Sequence, residues 1–275
     1  MKYDIIEHNK LKWERNDFLM KILAVGDIVG KIGINKLKEC LPNIIKKNEI
    51  DFVVVNGENA AEGMGITENM YRDILKQNVD VVTMGNHTWG KKDIFGFIDD
   101  GQIIRPANYP ENNPGKGYRI FEKKGKKIAV INLIGRVTMG VLSENPFLIA
   151  KEIVNKIKSQ VDIIIVDFHA EATAEKIALG YYLDGEATIV FGTHTHVQTA
   201  DEIILPNGTG YITDIGMTGP KNSVIGMEID VSFKRFVTCL PEKYKMAEGE
   251  GKFNSCLFEV DDKTNEVIKI ERINL

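Results

Sequence analysis

Cysteine is scarce in this chain: three in 275 residues, at positions 40, 239 and 256, with no CxxC spacing. Such a set supplies neither a disulfide framework nor a thiolate zinc site, and an odd count without a secretory signal points to a reducing, cytoplasmic setting. Long apolar runs are missing as well. No stretch approaches the ~20 residues that span a bilayer, so no membrane role is expected. Positive charge is not in excess: 35 Lys and Arg stand against 39 Asp and Glu, a formal net charge of -4. A protein that grips long nucleic acid usually carries a basic stripe, and none is expected here. A small anion held by metal ions remains compatible with that balance. Repeats and low-complexity linkers are also absent, and 43% apolar with 27% charged residues is ordinary for a globular chain that buries one large core.

What the chain does have is histidine in particular places. Four of its five histidines, with a run of acid and amide side chains, stand just past apolar segments that read as strands. The segments are 21–26 ahead of Asp27, 52–57 ahead of Glu58 and Asn59, 81–85 ahead of Asn86 and His87, 163–168 ahead of His169, and 188–193 ahead of His194 and His196. In open α/β sheets, ligands collect outside the carboxyl ends of the strands, so five such segments deliver their polar tips to one place.

From Met20 the chain alternates strand and helix signals. Helices are expected over Ile34–Asn48, from a Thr67 cap through Gln77, from Asn145 or Pro146 to Ser159, and over Ala172–Leu183. Hairpins are expected around Gly125, around Asn207-Gly208 and near 261–265. Residues 1–19 carry charges throughout and no apolar core pattern, so they read as an extension, and residues 20–275 as one domain. His8 lies in that extension and reads as a solvated residue.

Each strand-end group has a plain structural alternative. Asp27 alone serves as well to cap a helix as to bind an ion. Glu58 and Asn59 are stronger, because hard oxygen donors replace an ordinary helix entry, and a carboxylate has two oxygens with which to bridge a pair of ions. Gly85 lets the backbone turn close to whatever Asn86 and His87 surround. His169 alone could be a satisfied buried histidine. The pair His194 and His196 is the most specific: in an extended stretch the period of two puts both imidazoles on one side. Oxygen and imidazole donors without cysteine suit Fe or Mn, and the set is large enough for two ions.

The order of these motifs is recognisable. GDIVGKIG at 26–33, VNGENAAEGMGI at 55–66, MGNHTWG at 84–90, RPANYP at 105–110, DFHAEATAEK at 167–176, FGTHTHVQTAD at 191–201 and ITDIGMTGP at 212–220 resemble the YmdB-like branch of the calcineurin-like metallophosphoesterases, from Met20 to about Leu275. The resemblance implies a four-layer α/β/β/α sandwich of two mixed sheets, two divalent or mixed-valence transition-metal ions, and phosphodiesterase activity on 2′,3′-cyclic nucleotides. It assigns Asp27 and His196 to the first ion, Glu58 to the bridge, and Asn86, His169 and His194 to the second. Val29 stands where the superfamily usually has a histidine and Glu58 where it has an aspartate; Asn59 is placed to supply the missing ligand. Both departures match the YmdB-like branch. Self-association is a further expectation of the resemblance. Two ions held roughly 3.5–4 Å apart would make a bridging hydroxide able to attack phosphorus in line, and His87, without a metal role, would stabilise the phosphoryl oxygens or protonate the leaving ribose oxygen. Arg105, Asn108, Tyr109, Arg136, Thr195 and the loop 216–220 are secondary candidates. Two rivals remain: an amidohydrolase, disfavoured because its His-x-His pair would come first in the chain, and a regulatory metal-binding protein of RNA metabolism with weak or secondary phosphatase activity.

Overall fold

The computed structural model describes residues 19–275, so His8 and the expected extension lie outside the described residues, all but Leu19. The chain runs β1 (Leu19–Val25), β2 (Asp27–Ile28), α1 (Gly30–Asn48), β3 (Phe52–Asn56), α2 (Glu68–Leu75), β4 (Val81–Thr83), a 3-10 turn (Lys92–Gly96) and β5 (Ile103–Ile104). It continues through β6 (Tyr118–Lys123), β7 (Lys126–Ile134), α3 (Pro146–Ile157), β8 (Ile163–His169), α4 (Thr173–Tyr182) and β9 (Ile189–Thr193). The last part holds β10 (Ile203–Ile204), β11 (Gly210–Ile212), β12 (Met217–Pro220), α5 (Ile229–Thr238), β13 (Gly251–Lys252), β14 (Asn254–Asp261) and β15 (Val267–Asn274).

Two six-stranded mixed sheets form, in the orders β15-β14-β1-β3-β4-β5 and β10-β11-β9-β8-β7-β6. Side-chain alternation decides what fills the layers. Along β1, Ile22 and Ala24 face the second sheet, while Leu23 and Val25 face α1. Along β8, Ile163 and Ile165 meet them across the middle, while Ile164, Val166 and Phe168 pack on the α3 and α4 side. Strands buried on both faces carry no polar alternation, which is why they read as continuous apolar runs. The result is the expected α/β/β/α sandwich, with one apolar cluster between the sheets and one under each helix layer.

Local signals fixed the starts of α2 and α3. The Thr67 hydroxyl accepts from the Met70 N–H at 3.4 Å, and Asn145 Oδ1 accepts from the Phe147 N–H at 3.0 Å. Pro146 occupies the first helical position, where its missing N–H costs nothing. Helix α1 starts earlier than its apolar spacing suggested, at Gly30, and contains Pro42. Two features were not expected. One is α5, whose single buried residue is Ser232; the other is a small sheet, β13-β12-β2. That small sheet matters for function, because Met217 of β12 pairs in parallel with Asp27.

Candidate metal centre

The carboxyl ends of β1, β3 and β4 in one sheet and of β8 and β9 in the other meet at one point. All eight residues expected there arrive. Asp27, Glu58 and His169 are fully buried, Asn59 and His196 nearly so. The division of labour is by sheet: the first supplies oxygen donors and the second the three imidazoles other than His87. Gly85 makes the convergence sterically feasible, since a Cβ there would lie 2.4 Å from Glu58 Oε2 and 2.5 Å from His169 Nε2.

Glu58, His169 and His194 each present one donor atom, and these lie within 4.8 Å of one another. His169 Nε2 stands 3.0 Å from Glu58 Oε1, 2.9 Å from Asn86 Oδ1 and 3.0 Å from His194 Nδ1. One N–H can serve only one of those three partners, so lone pairs are left facing one another. A cation would take them all, and the donor set therefore fits a metal ion. A second group adjoins it through Glu58. His196 Nε2 lies 3.7 Å from Asp27 Oδ1, and the Asn59 amide nitrogen lies 3.3 Å from that oxygen, 3.1 Å from His196 Nε2 and 3.0 Å from Glu58 Oε1. The Asn59 amide is thus turned with its nitrogen, not its expected oxygen, toward these donors; as a ligand it must turn over. Its oxygen instead faces His87 Nδ1 at 3.0 Å.

The opposite nitrogens of the three imidazoles are held from behind, which fixes tautomer and ring orientation. His196 Nδ1 donates to the Ile225 carbonyl at 2.8 Å. His169 Nδ1 meets the Thr193 hydroxyl at 2.9 Å, and that hydroxyl donates to Asp167 Oδ1 at 2.7 Å. His194 Nε2 lies 3.1 Å from Glu171 Oε2. None of Ile225, Thr193, Asp167 and Glu171 was singled out from sequence. Asp167 and Thr193 sit inside apolar strands, and only their place close to a ligand in the chain hints at a role. Both His194 and His196 also have left-handed backbones, at φ 99 and 64, conformations that cost on the order of 1–3 kcal/mol each and cluster at functional sites.

Burial opposes charge on all these groups, and the neighbours decide the outcome. It raises both carboxyls, yet the bond and charge of His196 bring Asp27 below its ordinary range, and His169 with His87 brings Glu58 well below. Burial lowers His169, but Glu58, Asp27 and Asp167 overcome this and push it up to about 9. His194 drops to about 3 through burial and the charge of His169. Burial also raises Asp167, to about 6, against the bonds from Thr83 and Thr193. His169 is thus the main support of the Glu58 charge and His196 of the Asp27 charge.

The secondary candidates divide. Arg105 is buried, its guanidinium donating to the carbonyls of Pro106, Asn113 and Pro114. Asn108 brackets Ile134 and Glu144, and the Tyr109 hydroxyl donates to the Gly85 carbonyl. These three brace loops. The backbone of Arg136 is held by Glu175 and the residue itself is exposed. Thr195 turns to Asp214, and residues 217–220 form the strand that pairs with β2.

Comparison with known proteins agrees with this geometry. The family model described as YmdB-like protein matches residues 23–273. A 2′,3′-cyclic-nucleotide 2′-phosphodiesterase of Bacillus subtilis (strain 168) is 49% identical over 255 residues, covering 92% of this chain and 96% of that protein. The crystal structure of a novel phosphatase from Mycoplasma pneumoniae superposes with a TM-score of 0.89 at 39% identity, covering 94% of this chain and 93% of the other. A hypothetical protein from Thermus thermophilus gives 0.87 at 36% identity, covering 93% and 99%. The NAD nucleotidase of Haemophilus influenzae, at 0.59 and 16% identity over 93% of this chain and 55% of its own, shares the fold alone. With the family model spanning nearly every described residue and a relative 49% identical over 92% of the chain, this chain belongs to the YmdB-like family of calcineurin-like metallophosphoesterases.

Proposed function

We propose that the protein is a dinuclear-metal phosphodiesterase acting on small phosphodiesters, with 2′,3′-cyclic nucleotides as substrates. One observation carries the reading: buried Glu58 stands between two donor groups, Asn86, His169 and His194 on one side and Asp27, Asn59 and His196 on the other. The substrate class is supported by the 49% identity to the Bacillus subtilis enzyme. Two ions, Fe or Mn by donor chemistry, would supply an activated water and neutralise charge on the phosphate oxygens.

The chain's own residues do the rest. Glu58, with one oxygen toward His169 and the other accepting the His87 N–H at 2.9 Å, ties the ion pair to the catalytic loop. His87 is about one-third exposed, and its Nδ1 faces the Asn59 amide. With that amide turned over as an ion ligand, its NH2 would face Nδ1, which would accept, so the ring's proton would sit on Nε2, on the opposite edge. From there it passes to the departing ribose oxygen, which stays attached to the product as a hydroxyl. Among the described residues no helix is long and apolar enough to cross a membrane, and three free cysteines support a cytoplasmic setting. No stable contact with long nucleic acid belongs to this reading.

The test is a substrate panel on protein loaded with Mn2+ or Fe2+, with metal content measured alongside. Turnover of 2′,3′-cyclic nucleotides above that of linear diesters and monoesters, with about two ions per chain, is expected. A chain holding two ions that hydrolyses only monoesters would overturn the assignment.

A further inference from the structure

Behind the His-x-His segment lies a buried ion pair that the proposed chemistry does not use. Lys176 of α4 and Asp214, which follows β11, are both essentially inaccessible, and Nζ stands 2.7 Å from Oδ2. Taking two charges out of water is costly, and an apolar pair of similar volume would usually stabilise a fold as well. The rest of the Asp214 bonding shows what the charge is used for. The same Oδ2 accepts the Thr195 N–H at 3.1 Å and the Thr195 hydroxyl at 2.7 Å. Thr195 is the residue between His194 and His196, whose left-handed backbones relax if nothing holds them. Oδ1 meanwhile accepts the Gly216 N–H at 2.8 Å, so the carboxylate cannot rotate away. The lysine stem closes the arrangement from below: a Cβ on Gly192 would lie 2.9 Å from Lys176 Cδ and 1.8 Å from the Thr213 carbonyl oxygen.

We propose that Lys176 and Asp214 are a positioning pair for the metal centre: the ammonium anchors and aims the carboxylate, and the carboxylate clamps the peptide between the two histidine ligands. This rests on the metal-centre reading above. It assigns a function to two side chains, 38 residues apart, that touch neither substrate nor ion.

Three variants of the full chain test it: Thr195→Ala removes one bond and leaves the ion pair, Lys176→Met removes the charge and keeps the stem, and Asp214→Asn removes the countercharge. Leu41→Ala, in the buried layer under α1 and without a polar contact to the candidate ligands, calibrates a purely structural loss. Apo unfolding midpoints, Mn2+ affinity by titration calorimetry at a temperature where each variant is folded, and the visible absorption of bound Co2+ are compared. Outer-shell changes typically cost about 10- to 100-fold in metal affinity, and that loss, with an altered Co2+ spectrum, is expected for Lys176→Met and Asp214→Asn. Thr195→Ala should show a smaller loss of the same kind with little change in midpoint, and it decides the matter if the charge variants fail to fold. Lowered midpoints with Mn2+ affinity and Co2+ spectrum unchanged, as expected for Leu41→Ala, would make the pair merely structural and overturn the proposal. Wild-type protein that is folded but binds neither ion would overturn the metal-centre reading itself, and the proposal with it.

Discussion

Metal uptake should release a proton from His169, and the structure sets the size of the effect. Glu58, Asp27 and Asp167 around this buried ring push its pKa up to about 9 in the metal-free chain, against an unfolded value near 6.5. An ion can take Nε2 only after that proton leaves. At pH 7, roughly two units below the folded pKa, the competition weakens metal binding about 100-fold relative to pH 9, or about 2.7 kcal/mol at 1.36 kcal/mol per unit. Mn2+ affinity should therefore rise about tenfold per pH unit between pH 7 and 9 and level off above. The same proton acts on the apo fold in the opposite sense. Its contribution to stability is complete below pH 6.5, the unfolded value, and is lost as pH rises through 9, so the apo melting temperature falls across that window while the loaded protein's does not. Titration calorimetry in buffers of different ionisation enthalpy counts the protons directly. An affinity that does not change between pH 7 and 9, with no proton released, would refute the account of His169 as the protonated partner of Glu58.

Replacing Glu58 with Gln should cost both ions, since its carboxylate adjoins both donor groups, and metal analysis of the folded variant checks this; two ions held with unchanged affinity would exclude the bridge. His87→Ala should keep its metal but lose on the order of 10²–10⁴ in turnover of a cyclic nucleotide. Its loss on a nitrophenyl phosphodiester should be smaller, because that leaving group needs no proton. A chain shortened to begin at Leu19 should keep its melting temperature and metal uptake, because residues 1–18 carry no core pattern in sequence.

The residues gathered at the candidate centre were legible in sequence because each ends or follows a strand buried on both faces, and such strands announce themselves as apolar runs. The four-layer order came from the family resemblance; the patterns themselves marked the helices, since α1 and α2 show apolar spacing or a capping residue and α3 a capping Asn and a first-turn Pro. Helix α5 was not readable for the opposite reason. It buries only Ser232 and exposes Phe233, Phe236 and Val237, so no core-facing stripe marks it. Strands β2 and β13 have two residues each and β12 four, too few to display a period. The outer supports escaped because they are long-range: nothing in sequence couples Lys176 to Asp214. Arg105, only a secondary candidate in sequence, gives all three of its bonds to backbone carbonyls.

The centre joins the two sheets, and this has an energetic consequence. Glu58, Asn59 and Asn86 follow strands of one sheet, Asp27 lies in β2 just past the end of β1, and His169, His194 and His196 come from the other sheet, so the relative placement of the sheets sets the distance between oxygen and nitrogen donors. That placement is held by the middle apolar layer, where Ile22, Ala24 and Phe52 meet Ile163, Ile165 and Phe191. Deleting a large aliphatic side chain from a packed core costs about 2–5 kcal/mol wherever it lies. Its effect on the centre depends on the layer. A cavity between a sheet and its helices leaves the two sets of donors in register, whereas one between the sheets lets them shift. Ile165→Ala and Leu41→Ala should lower the apo melting temperature by comparable amounts, yet Mn2+ affinity should fall about tenfold only for Ile165→Ala, in keeping with the sensitivity of ligand geometry to its supports. Equal affinities in the two variants would show that the donors are aligned locally by their own loops and not by the packing of the sheets.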